Sequence, residues 1–89
     1  MADFIQELAD GLARDVLTSS KELEDPFFYE QVSKVIGASS PTLQEAFMTS
    51  IRIRLAERRG RDFLEKTLNA KRNGGAAPTA PREAEKGGH

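Results

Sequence analysis

Two groups of residues in this 89-residue chain have the types and spacing to do chemistry. The first lies between residues 51 and 72, in IRIRLAERRGRDFLEKTLNAKR, which holds six arginines and two lysines. Cations at that density can neutralise phosphates and release condensed counterions, which would make a salt-sensitive grip on nucleic acid. They can equally form the solvated, partly self-paired face of a helix whose other side packs on protein. The second group is the carboxylate cluster Glu22, Glu24 and Asp25, with the hydroxyls of Ser39 and Ser40 further along the chain. Carboxylates can move protons and a serine can attack, but the serine needs an adjacent base. The chain has no cysteine, and its one histidine is His89. Capping and the helix dipole account for the carboxylates and the serines without catalysis. A structural zinc needs clustered Cys or His, and a phosphate cradle needs a glycine-rich loop after a strand; neither pattern occurs. The chain is expected to be no enzyme and to use no metal and no cofactor.

The charges are arranged unevenly along the chain. Residues 1 to 47 hold nine acids and three bases, whereas residues 48 to 72 hold eight bases and three acids. Such an asymmetry can be satisfied by the chain itself, within one copy or between copies, or it can offer a basic surface to phosphates. The first use is the expected one.

Three helical segments must position these residues. In the first, about residues 2 to 18, Phe4, Ile5, Leu8, Ala9, Leu12, Ala13 and Val16 fall on one arc of a 3.6-residue period. Thr18, Ser19 and Ser20 favour side-chain bonds to the backbone and are expected to end it. The second, about residues 26 to 36, has Asp25 as expected N-cap, Pro26 at the first helical position and Gly37 as a left-handed stop. Phe28, Val32, Val35 and Ile36 share its apolar face, with Tyr29 at the rim and Phe27 outside it. The third opens on Ser40 and Pro41 by the same rule and meets no proline before Pro78. It is expected to run from residue 41 to about 72, roughly 45 Å at about 1.5 Å per residue.

The third helix carries two apolar stripes. Leu43, Phe47, Ile51 and Leu55 step by fours along one side. Ala46, Thr49, Ile53, Ala56, Gly60, Phe63, Thr67 and Ala70 alternate steps of three and four, the spacing of a coiled-coil seam. Two stripes call for two packing surfaces. The leucine and phenylalanine side suits the first two helices; Ile53, Ala56, Gly60 and Phe63 are the candidate seam for helix contact beyond them. Arg52, Arg54, Arg58, Arg59 and Arg61 form the candidate basic face, on which Arg58 can pair with Asp62 and Arg61 with Glu65. A helix-turn-helix use of the second and third segments is disfavoured. A recognition helix reads bases from its first turns, and here those turns hold Thr42, Gln44 and Glu45 with no base before Arg52.

These patterns predict an all-α, three-helix domain over residues 1 to 72 with a long C-terminal third helix. The Gly, Ala and Pro-rich end, residues 73 to 89, is expected to be a disordered tail. So small a core gains from a staple, and without cysteine or metal ligands that staple is another protein chain. The expected function is a non-catalytic interaction or assembly module, a small regulatory subunit being one form of it, acting as a homo-oligomer or on a protein partner. The alternative is a nucleic-acid-binding accessory protein using the basic face. No apolar run reaches the roughly 20 residues of a membrane span. MADFIQELAD lacks the basic start and apolar core of a secretory signal, so the expected location is cytoplasmic and no membrane contact is expected.

Overall fold

A computed structural model describes residues 2 to 80 as three helices, with no strand among the described residues. They are α1 (Ala2–Leu23), α2 (Phe28–Gly37) and α3 (Pro41–Asn73). The chain divides into two units, Met1–Ala56 and Glu57–His89. The all-α reading with a long third helix therefore holds.

The first unit is organised by spacing on α1 and α3. Ala9, Ala13, Val16 and Leu17 from α1 and Phe47 and Ile51 from α3 form its buried core. Phe47 and Ile51 are one turn apart and both wholly enclosed. Ala9 and Ala13, also wholly enclosed, present methyl groups where larger side chains would hold the helices apart. Leu12, Phe28, Tyr29, Val32, Ile36, Leu43, Ala46, Met48 and Leu55 close over this centre while remaining partly exposed. Burying a side chain of the size of Phe47 or Ile51 contributes about 1.5–3 kcal/mol each.

Side-chain hydrogen bonds link α3 to both of its neighbours in the first unit. The Gln44 amide donates from Nε2 to the Ser33 carbonyl on α2 at 2.9 Å. Arg54 donates from Nη2 to the Asp10 carbonyl on α1 at 3.1 Å, and from Nε to Ser50 Oγ, one turn back on its own helix, at 3.2 Å.

Helix ends differ from expectation where a side chain had a second option. α1 does not stop at the Thr18–Ser20 run; the buried Ser20 hydroxyl donates to the Val16 carbonyl at 2.9 Å, a bond made within the helix. The helix ends at Leu23 instead. Glu24 takes a left-handed conformation, φ 56, while the Asp25 N–H bonds back to the Ser20 carbonyl at 3.1 Å. This is a Schellman-type stop with glutamate where glycine is usual. Asp25 and Pro26 do not begin α2. The Asp25 carboxylate accepts the Phe27 N–H at 3.0 Å and its carbonyl accepts the Phe28 N–H at 3.2 Å, which makes a turn before the helix. The N-cap position falls to Phe27, with no side-chain cap.

Gly37 is not a left-handed stop either. It is the last residue of α2, and Ala38 after it is right-handed, φ −65 and ψ −26. Its use is space. A Cβ there would fall 2.7 Å from Cδ of Gln44 and still closer to the amide nitrogen, the group that reaches Ser33. Ser40 does cap α3, its Oγ accepting the Leu43 N–H at 3.1 Å, with Pro41 at the first helical position.

The expected apolar arcs are narrower in the fold. Phe4, at 65 % exposure, and Leu8, at 48 %, lie outside the core, as does Val35 at 73 % on α2. Leu17, in no expected arc, is buried. Phe27, outside the α2 face, is exposed where packing against the preceding loop is the simpler expectation, its ring 6.3 Å from that of Tyr29.

The described part of the second unit consists of the remainder of α3 and residues 74 to 80. The helix is unbroken through Gly60 and closes at Asn73. Gly74 is left-handed, φ 73, and the Gly75 N–H bonds to the Ala70 carbonyl at 2.9 Å. Here the Schellman stop has its usual glycine. Residues 75 to 80 are exposed and belong to no helix or strand. Of the expected tail, residues 81 to 89 lie outside the described residues.

Candidate interaction surface

The candidate seam and basic face divide between the two units. In the first, Ile53 is 63 % exposed and Ala56 is exposed, whereas Ala46, from the same expected stripe, packs on the core. In the second, a Cβ added at Gly60 would meet nothing within 4 Å, and Phe63 is 37 % exposed. Leu64 and Leu68 are exposed beside them, at 49 % and 40 %. These two leucines were absent from the expected seam. Their signal was present as a run of fours, Gly60, Leu64 and Leu68, one helical turn apart on the same side.

Along the second unit, two neighbouring ladders thus make one strip. Arg59, Phe63, Thr67 and Lys71 form one, and Gly60, Leu64 and Leu68 the other. The strip is apolar in its middle and basic at both ends of the first ladder. The Thr67 hydroxyl oxygen within it is shielded from solvent and has no hydrogen-bond partner among the described residues.

The basic residues do not act alike. Arg54, half-buried in the first unit, is committed to Ser50 and the Asp10 carbonyl. Arg61 pairs with Glu57, not Glu65, at 2.7 Å from Nη2, and Asp62 pairs with Lys66, not Arg58, at 3.0 Å. In both pairs the acid precedes the base by one turn. Helical side chains lean toward the N-terminus, and this order also suits the helix dipole, so it is the more favourable of the two. Hydrogen bonding by Glu57, then its charge, raises the Arg61 guanidinium further above its ordinary value. Among the described residues, Arg52, Arg58 and Arg59 form no ion pair. Arg52 borders an open groove between α2 and α3 with Ser33, Gln44, Glu45, Met48 and Thr49. No aromatic stacking platform accompanies these arginines apart from Phe63.

The polar clasp around Arg54 has its own electrostatics. Hydrogen bonding from Ser50 and then Gln6 holds the Asp10 carboxyl below the usual carboxylate range; partial desolvation opposes this, and the nearby charge of Arg54 adds to it. The Gln6 amide donates to Asp10 Oδ1 at 3.0 Å. Arg54 holds α1 to α3 through the Asp10 carbonyl, while the Gln6 bond to Asp10 lies within α1. Among the described residues no three His, Cys, Asp or Glu side chains gather in a metal-holding group, and no helix is long and apolar enough to cross a membrane.

Comparison with protein-family models, with curated proteins and with solved structures finds no match to this chain.

Proposed function

We propose that the protein is a non-catalytic helical interaction module, an assembly or small regulatory subunit, that associates through the apolar strip of the second unit. One observation carries this reading. Phe63, Leu64 and Leu68 are exposed together on a helix in which Gly60 opens a gap for close approach. Most helical stability in proteins comes from packing an apolar face. A partner on the strip supplies that packing. A cytoplasmic location is part of the same reading.

The nucleic-acid reading draws on Arg52, Arg58 and Arg59. It is weakened by the commitment of Arg54, Arg61 and Lys66 to partners within the chain.

Sedimentation equilibrium of the parent and of Leu64→Glu tests the proposal. The parent is expected to associate at micromolar concentration, and Leu64→Glu to sediment as the 9.8 kDa monomer with its circular dichroism retained. A parent that stays monomeric removes self-assembly and leaves the strip to a different protein partner; an assembly indifferent to Leu64→Glu removes the strip from the function. Sub-micromolar binding of labelled DNA at physiological salt would put the phosphate grip in its place.

A further inference from the structure

The exposed surface of α1 carries a pattern that answers the strip. Phe4 and Leu8, one turn apart, stand out of the core. Beside them runs a second ladder at the same spacing, Asp3, Glu7, Gly11 and Asp15. Its three acids are all exposed, Asp15 pairing with its neighbour Arg14 at 3.2 Å, and its glycine offers no side chain. From residue 3 to 15 α1 holds four acids and one base, whereas residues 57 to 73 of α3 hold six bases and three acids.

Resting on the interaction reading above, we infer that the strip of one copy docks on the Phe4 and Leu8 face of α1 in a second copy. The two ladders match in length, since Asp3 to Asp15 and Arg59 to Lys71 each span twelve residues, about 18 Å at about 1.5 Å per residue. They also match in plan. Each sets charge at both ends, acidic at Asp3 and Asp15 on α1 and basic at Arg59 and Lys71 on the strip, with Glu7 a further acid inside the α1 ladder. Laid antiparallel, Lys71 meets Asp3 and Arg59 meets Asp15, while Leu68 falls between Phe4 and Leu8 and Phe63 falls at Gly11.

Like pairing lacks this advantage. Two strips laid together bring Arg59 and Lys71 against each other's basic ends, and two α1 faces bring acids against acids. Charges at an interface rim act chiefly through such rejection of wrong partners and through register. In the single chain both faces remain exposed, so each copy has one of each to offer.

The test exchanges the signs. One variant carries Asp3→Lys and Glu7→Lys, the other Arg59→Glu and Lys71→Glu; all four positions are exposed. In the first variant both faces are basic, in the second both are acidic. Each alone is expected to lose self-association by at least tenfold in Kd at low ionic strength, where rim charges are least screened. An equimolar mixture is expected to regain it, because the basic α1 of one then meets the acidic strip of the other. Light scattering after size-exclusion chromatography reads the mass, and circular dichroism checks that each variant is folded.

Variants that associate as the parent does, or a mixture of folded variants that remains monomeric, overturn the inference. Its failure is distinct from failure of the strip. If the parent associates through Leu64 and the exchange of signs changes nothing, the strip has another occupant; if the parent is monomeric, the self-association on which the inference rests is lost.

Discussion

Replacing Gly60 by alanine is expected to stabilise the second unit's helix, in an amount that can be worked from its surroundings. Gly60 lies inside α3, and a Cβ there meets no heavy atom within 4 Å, so the substitution adds no clash and removes no contact. What remains is backbone freedom. Glycine costs about 0.8–1.0 kcal/mol against alanine in a helix interior. About 1 kcal/mol changes an equilibrium roughly fivefold. A helix frays from its end, so the effect is confined to amides whose opening must unwind residue 60.

Arg61 to Leu64 donate to the carbonyls of residues 57 to 60 in a regular helix. Their exchange protection should rise about fivefold in Gly60→Ala, while that of Lys71 and Arg72, which fray without disturbing residue 60, stays unchanged. Hydrogen exchange in dilute solution, below the range of association, is the assay. No gain at Arg61 to Leu64, or a loss, would refute the reasoning by showing that the space beside Gly60 is occupied. Gly60→Leu extends the test to the strip. It should keep most of the gain in dilute solution, yet weaken assembly, because a branched side chain now stands where a helix would approach.

The remaining predictions concern the first unit. Phe47→Ala, at a wholly enclosed site, should cost about 3–5 kcal/mol by urea unfolding, a large part of the stability of so small a core. Arg54→Met should cost about 1.5–3 kcal/mol, as expected for hydrogen bonds to a charged group, whereas Arg58→Ala should stay within about 0.5 kcal/mol; equal effects would contradict the distinct placing of the two arginines. Because Asp10 titrates lower in the fold than its ordinary value of 3.8, its contribution is complete above that pH and is lost as pH falls through the folded value. Asp10→Asn should therefore lose less stability than the parent between pH 5 and acid, and identical pH profiles by thermal unfolding would discount the Ser50, Gln6 and Arg54 contacts.

Signals confined to a few neighbouring residues were the most legible. Ser40 and Pro41 announce α3 because a cap needs only the next three N–H groups, although the same signature at Asp25 and Pro26 makes a turn before α2 instead. The Leu43, Phe47, Ile51 and Leu55 stripe likewise identifies the side of α3 that meets the core. Where two partners competed, the sequence did not show which would win. Ser20 could end a helix or bond back along it, and the tertiary site that buries it favours the second. Gly37 carries the mark of a left-handed stop, but its function depends on Gln44, on another helix. Phe4 and Leu8 lie on the apolar arc of α1, yet periodicity does not say how much of an arc finds a neighbour. The same limit hid Leu64 and Leu68, whose exposure depends on which side chains fail to cover them.

Ala9 and Ala13 have a consequence for how this chain can diverge. Both are wholly enclosed on α1, and neither has a neutral neighbour in the genetic alphabet. Anything larger overpacks the core, typically at about 1–3 kcal/mol. Glycine, the one smaller choice, gives up about 1 kcal/mol of helix propensity. Descendants of this sequence can thus exchange Phe4 or Leu8 with little effect on folding while these two alanines stand still, and in an alignment the invariant columns would fall on the smallest side chains of α1.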